Sequence, residues 1–393
     1  MPRRSYDNVS LFDKLVFTFG AIGVIPITVI SCLARRLWTS SDYRLRDDIF
    51  LACVRRLKIV PLSIRRKLAT KGDNTTILSS RRLSGASLQL YKKLSRSDFA
   101  GYWICRGSVH GLQRRPSESD VTLVWLHGGA YITGTALSAG VSLLRIAEAA
   151  AEQGISVNVF SLEYSLAPEA QFPSQLDEAT AAYRFLVEEE KIHPAKIMVL
   201  GESAGGHLAL SLTYNLQRHS LSRPGKLVLI SPWVNLENSG TSFAASKYKD
   251  SLDKPDLDRC VNRLMGGSDG LLKFAEYVNF ASPLSTLNPS ADGCSSWSEA
   301  LPPSWVIIGE NDVFLSDVSS FVANASDDGV QVDFHVEPGK PHGWFGYRDA
   351  LRVKEYLGLS PTEDAGSILR SSEELANVVC DHARAYRTSS KVD

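Results

Sequence analysis

The stretch "VLGESAGGHLALSL", Val199 to Leu212, reads as the end of a strand, a tight glycine-rich turn and an apolar run with helical spacing. A plain turn needs one glycine at most. Gly201 and Gly205 leave room where side chains would collide, and Ser203 between them falls in a strained turn that exposes its hydroxyl. The helix that follows aims its N-terminal amides at the same point, which favours developing negative charge. Ser203 is therefore a candidate nucleophile. The bland alternative is a capping serine in a crowded βα turn, and the choice depends on partners elsewhere in the chain.

On either side of this turn, strand patterns alternate with helical ones from about Tyr102 onward. Val121–Leu126, Ser156–Leu162, Lys196–Leu200, Lys226–Ser231, Ser304–Gly309 and Val330–Val336 are short, β-branched and mostly apolar on both faces, as strands buried in a parallel sheet are. "QLDEATAAYRFLVEEE" and "HLALSLTYNLQ" supply helices between them. Such alternation gives an α/β fold with a mostly parallel, doubly wound sheet. Its ligands sit beyond the carboxyl ends of the strands.

Those ends carry the partners Ser203 needs. "VIIGENDVFLSD" presents Asp312 just after an apolar strand, with Asp317 as a competitor further on, where a helix should have begun. "VEPGKPHGWF" places His342 in a loop between Pro341 and Gly343. His335 falls inside a strand pattern and reads as a partly buried packing residue. The chain order Ser203, Asp312, His342 is that of the α/β-hydrolase arrangement. "WLHGGAY", Trp125 to Tyr131, adds a glycine pair after the first central strand. Acyl transfer passes through a tetrahedral oxyanion, which preorganised backbone N–H groups stabilise. The amides of Gly129, Ala130 and Ala204 are the candidate donors, with Gly128 shaping the loop; by itself the loop is also an ordinary tight βα turn.

With these motifs in hand, the chain resembles the hormone-sensitive-lipase family of α/β-hydrolases. "HGGA", "EYSLAPEAQFP" (Glu163 to Pro173), "GESAGG", "LISPWVNL", "ASPLS" and "PGKPHGWF" stand in that family's order between about Val121 and Phe345. The family more often has Gly where Ala130 stands and Asp where Glu202 stands; both changes keep the backbone roles and bear on substrate preference. The resemblance implies an α/β-hydrolase fold with a helical cap, a serine carboxylic-ester hydrolase mechanism, and no metal or organic cofactor. In layout the chain is also similar to arylacetamide deacetylase and the fungal steryl acetyl hydrolases, which are membrane-bound deacetylases.

The N-terminus supplies that layout. Leu15 to Leu33 is nineteen residues without a charge, flanked by Arg3, Arg4, Lys14, Arg35 and Arg36. At ~1.5 Å per residue it just spans a ~30 Å hydrocarbon core. A membrane anchor, a signal peptide cut near Cys32-Leu33-Ala34 and a buried cap helix are the three readings, and length without charge favours the anchor. The following basic stretch, Arg35 to Lys71, suits either a helix on an anionic membrane surface or an ordinary solvated face. It argues for a cytosolic catalytic domain, whereas the sequons at Asn74 and Asn324 argue for a lumenal one; orientation stays open.

Composition sets the outer limits. The 393 residues balance 43 basic against 43 acidic groups, so there is no global field to attract nucleic acid. The six cysteines, Cys32, Cys53, Cys105, Cys260, Cys294 and Cys380, form no metal or redox motif. The expected organisation is an anchor at 1–36, a basic helical cap or membrane-surface region at 37–100, a catalytic domain at 101–360 with a cap insertion at about 237–300, and a helical tail at 361–393. The expected function is deacetylation of a lipophilic alcohol ester, a sterol, terpenoid or other secondary metabolite, by a single-pass protein of the endoplasmic reticulum. Trp233 and Trp344 near the strand ends fit an apolar substrate or plain core packing. An acyltransferase with the same residues and a non-catalytic binding protein are the alternatives.

Overall fold

Val121–Leu126 (β3) shows why this sequence builds a sheet covered on both sides. Leu123 and Trp125 enter one buried cluster, Val124 and Leu126 the opposite one, the period-two alternation of a strand. The computed structural model describes residues 8–38, 43–56, 60–69, 77, 79–83, 91–104, 115–287 and 296–389. The sequon at Asn74, Cys105 and Cys294 lie outside the described residues, as do parts of the basic stretch and of the 237–300 insertion. Eight strands form one sheet: β1 (Tyr91–Ser95), β2 (Ala100–Ile104), β3, β4 (Val157–Leu162), β5 (Ile197–Glu202), β6 (Lys226–Ile230), β7 (Ser304–Gly309) and β8 (Val332–Glu337). Their spatial order is β1-β2-β4-β3-β5-β6-β7-β8. All pairs from β4 to β8 are parallel, and β2 runs antiparallel to both β1 and β4.

After β3 the chain moves out to β4 and then returns across β3 to β5. This reversal makes the crevice outside the carboxyl ends of β3 and β5 the place where such a sheet binds ligands. The loop at His127 leaves one of those ends and the turn at Ser203 the other.

The sheet starts earlier than the sequence suggests. β1 and β2 precede or straddle the boundary expected at residue 101. β1 is an edge strand, and Lys92 and Lys93 are exposed on it. Charges of this kind protect an edge from further pairing, and they hide the apolar alternation that would announce a strand. The tail is a packed helix. The helix Arg370–Ser389 buries Leu375, Ala376, Val379, Cys380 and Ala383 in the same cluster as the helix Gly140–Glu152, so it is a layer of the hydrolase body. The insertion between β6 and β7 packs on the body: Leu257, Val261, Leu264, Phe280 and Trp297 share a cluster with the helix Ala204–Leu216.

Three N-terminal helices, α1 (Leu11–Trp38), α2 (Leu45–Arg56) and α3 (Leu62–Ala69), come before the sheet. α1 is long and apolar enough to cross a membrane by length and composition. Thr28 and Cys32 are buried, while Phe19, Ile22, Ile27 and Ile30 are more than 60% exposed. Asp13 accepts from the Ser63 hydroxyl at 3.0 Å, and Arg36 pairs with Asp48 at 2.8 Å. Two basic side chains beyond α1 turn inward, while Arg44, Arg46 and Lys67 are exposed: Arg65 reaches Asp256 at 3.4 Å, and buried Arg66 pairs with Glu169 at 2.7 Å while donating to the carbonyls of Ile132 and Ala167.

The C-terminal helix yields a prediction. Ending the chain after Ser360 uncovers the second core cluster, a loss of several kcal/mol at ~25 cal/mol per Å² of apolar surface. That is a large share of the stability of a typical domain. The truncated protein is expected to aggregate on expression, and a soluble protein with an unchanged melting temperature would show the helix to be dispensable.

Candidate active site

Ser203 sits between β5 and the helix Ala204–Leu216 with φ 55° and ψ −117°, a conformation few non-glycine residues adopt. The neighbours make it possible. A Cβ on Gly201 would lie 2.2 Å from the Gly205 carbonyl oxygen, and one on Gly205 would lie 2.0 Å from that of Leu126. No side chain fits at either position. The turn is held from outside by the Ser203 amide donating to Ile230 at 3.0 Å.

His342 follows β8 and is buried; Asp312 follows β7 and is wholly buried. The imidazole Nε2 lies 3.0 Å from Ser203 Oγ, and Nδ1 donates to Asp312 Oδ2 at 2.9 Å. The other Asp312 oxygen accepts from the Phe314 amide at 2.9 Å, so the carboxylate is fixed at both ends. The competitors are elsewhere. Asp317 lies on the helix Leu315–Asp327 and accepts from Asn235 at 3.1 Å. His335, read as a partly buried packing residue, is exposed on β8, 2.9 Å from Asp333, with its ring 5.3 Å from that of Trp305.

The glycine loop after β3 is strained in the same way. Gly129, Ala130 and Tyr131 hold successive positive φ values of 114°, 52° and 61°. The Gly128 carbonyl accepts from His127 Nδ1 at 2.7 Å, and the Gly129 carbonyl accepts from Ile132 and Thr133 amides at 3.0 Å each. The Ser203 carbonyl accepts from the amides of Gly206, His207 and Trp233. A trans peptide points its N–H opposite to its C=O. Tying these three carbonyls back into their own loops therefore turns the amides of Gly129, Ala130 and Ala204 outward. Among the described residues no backbone carbonyl accepts from any of the three. A Cβ on Gly128 would lie 3.1 Å from the Glu202 carbonyl oxygen, so this glycine lets the loop lie against the serine turn.

Burial alone would lower the His342 pKa, but Asp312, by charge and hydrogen bond, and then Asp250 and Glu202, by charge, outweigh it and hold the imidazole above its ordinary 6.5. Burial also pushes up Glu202, against the pull of His342. Asp250 is raised by burial and by Asp312, with His342 opposing. Sequence reading missed Asp250, because "KYKDSLDKP" carries no motif and only the fold brings it to the site. It missed the supports of the serine helix as well. His207 accepts from the Tyr131 hydroxyl and donates to the Tyr277 carbonyl, both at 2.7 Å, and burial lowers its pKa to about 4. A histidine four residues past the serine on an apolar helix is the signal that could have found it. The two tryptophans are packing residues: Trp233 is fully buried, stacked on Phe314 and bonded to Asn238, and Trp344 belongs to the cluster behind the sheet.

A hydroxyl, an imidazole and a buried carboxylate in line, beside outward amides, can carry out nucleophilic acyl transfer on a carbonyl. This is the site and sheet of an α/β-hydrolase. The family model described as alpha/beta hydrolase fold matches residues 123–346, and the chain belongs to that family. An acetyl-hydrolase of Streptomyces hygroscopicus is 30% identical over 260 residues, which is 66% of this chain and 78% of its own. Hormone-sensitive lipase of Mus musculus is 29% identical over 162 residues, 39% of this chain and 21% of its own. A crystal structure of an esterase from the bacterial hormone-sensitive lipase family shares the fold, with a TM-score of 0.60 at 21% identity over 91% of this chain and 98% of that one. The chain is a carboxylic-ester hydrolase of the α/β-hydrolase family.

The environment of His342 sets its pH dependence. A base must be neutral to accept a proton, so activity rises with pH through its pKa. The acidic limb of kcat/KM on a soluble p-nitrophenyl ester is expected to have its midpoint above the ordinary imidazole value of 6.5. A midpoint at or below that value would contradict the electrostatics of the site.

Proposed function

We propose that Ser203 attacks the ester carbonyl while His342 takes its proton and Asp312 orients and stabilises the imidazolium. The observation that carries this reading is the unbroken hydrogen-bond line from Ser203 through His342 to Asp312. Carbonyl carbon and Oγ form a tetrahedral intermediate whose oxyanion is held by the amides of Gly129, Ala130 and Ala204. Collapse expels the alcohol, protonated by His342, and leaves an acyl-enzyme. Water, deprotonated by His342, then releases the acid.

The substrate of this proposal is a short acyl ester, an acetate in the first place, of a lipophilic alcohol such as a sterol or terpenoid. Two observations support it: the acetyl-hydrolase among the relatives, and the exposed apolar side of α1. Exposed apolar surface of this extent marks a membrane or protein contact. In this reading α1 is a single-pass anchor, of the endoplasmic reticulum by its layout. The region from α2 to α3 forms, with the insertion, the cap over the site, supported by the bonds of Arg66 to Ile132 and Ala167 beside the glycine loop.

Ser203→Ala is expected to lower turnover of p-nitrophenyl acetate by several orders of magnitude with an unchanged melting temperature; a folded variant with near-normal turnover would refute the assignment. A series of p-nitrophenyl esters of rising acyl length, run beside an acetylated sterol, tests the substrate class, and an added alcohol that captures the acyl group would instead reveal a transferase.

A chain starting near Thr39 tests the anchor. It is expected to be soluble and to keep its turnover of p-nitrophenyl acetate, while the full chain sediments with membranes. Aggregation of the short chain, or full-length protein left in the high-speed supernatant, would assign α1 to the body instead.

A further inference from the structure

The segment between β6 and β7 sends one carboxylate into the space between the two loops that carry Asp312 and His342. Asp250 is wholly buried. Its Oδ2 accepts from the Val313 amide at 2.8 Å and from the His342 amide at 3.3 Å. Val313 directly follows Asp312, so one oxygen atom is bonded to the backbone beside the acid and to the backbone of the base. Oδ1 accepts from the Leu252 amide at 3.0 Å. The Asp250 carbonyl in turn accepts from Arg55 Nε at 2.9 Å and from Nη2 at 2.5 Å. Arg55 is on α2, far away in sequence.

We propose that Asp250 is a positioning residue that fixes His342 against Asp312, and that Arg55 of α2 fixes Asp250 in its turn. The inference rests on the catalytic reading of Ser203, Asp312 and His342. Nearer the strands the same two loops are already joined, by the Glu310 amide to the Glu337 carbonyl and by the Asn311 amide to the Lys340 carbonyl, each at 2.9 Å. Beyond these bonds the loop tips carry the reacting groups, and Asp250 adds a backbone tie between the tips to the side-chain bond of His342 to Asp312. Catalytic geometry has to hold within about half an ångström, and a shift of about one ångström can cost on the order of 100-fold in rate.

Charge gives the second argument. A buried carboxylate beside another buried carboxylate is costly. Of the three amides that donate to it, the two on Oδ2 could be met by the single oxygen of a neutral Asn or Ser side chain. What a neutral group could not supply is negative charge close to an imidazole that becomes cationic during the reaction. The groups facing His342 are Asp312, Asp250, Glu202 and Ser203; those facing Asp250 are Asp312, His342 and Arg55. Tyr347 senses both Glu202 and Asp250.

The test compares Asp250→Asn, Arg55→Met and Ser203→Ala in the full chain with p-nitrophenyl acetate, measuring kcat, KM, the pH profile and the melting temperature. Asp250→Asn is expected to lower kcat by about 10- to 100-fold at nearly constant KM. Its acidic limb of kcat/KM is expected to move to lower pH, because the imidazolium loses a negative neighbour. Arg55→Met is expected to lower kcat several-fold, again at constant KM. A folded Asp250→Asn protein that keeps wild-type kcat, or that loses kcat with its acidic limb unmoved, overturns the proposal. If Asp250→Asn does not fold, Arg55→Met decides: reduced kcat at constant KM upholds it, and wild-type kcat overturns it. Activity surviving in Ser203→Ala would fail the catalytic reading itself, whereas an inactive Ser203→Ala beside a fully active Asp250→Asn fails this inference alone.

Discussion

Everything at this site depends on how closely two pieces of backbone approach each other. The space for a Cβ on Gly205 is already filled by the carbonyl of Leu126, the last residue of β3. This contact lays the serine turn against the loop that carries Gly128 and Gly129. It brings Ser203 at the end of β5 and the outward amides after β3 to one side of the same crevice. Replacing Gly205 would push the two apart, and replacing Gly201 would force open the serine turn itself, since backbone cannot move aside as a flexible side chain can. The unusual φ of Ser203 and the run of positive φ from Gly129 to Tyr131 follow from that proximity. Strain of this kind persists only where the surroundings over-determine it, and the hydrogen bonds to the Gly128, Gly129 and Ser203 carbonyls provide that.

The parts of the fold legible in the sequence are those where local pattern and tertiary role agree. β3, β5 and β7 are buried on both faces, so they are mostly apolar runs. The glycines of the serine turn are visible because only one residue type tolerates such crowding. His342 and Asp312 could be named because the strand ends gave them an address. The remainder was hidden for definable reasons. β1 carries two lysines because it is an edge. The last helix, whose apolar residues appear at intervals among charges, could pass for a solvated tail until its buried face is seen. Asp250 belongs to a polar stretch whose partners are distant along the chain, and no periodicity reports such contacts.

The basic N-terminal region teaches the same lesson about charge. A count of arginines invites a membrane surface. Yet Arg55 is spent on a backbone carbonyl next to the site, Arg65 on Asp256, and Arg66 on Glu169 and two carbonyls by the glycine loop. A guanidinium can satisfy several acceptors in one plane, which suits it to joining segments that have no sheet between them. The apolar helix α1 and the catalytic body thus meet through α2 and α3, whose arginines reach the residues around the chemistry.

The last strand has a consequence of its own. β8 pairs with β7 alone and forms one edge of the sheet, and the loop that follows it holds His342. Edges open at lower free energy than the centre of a sheet, because fewer bonds must break together. His342 is therefore mounted on the rim, while Ser203 is mounted at the centre between β3 and β6. On heating or in mild denaturant the imidazole can leave its place while the serine turn and the core remain intact. Loss of activity ahead of melting, recoverable while that edge can close again, is the expected behaviour.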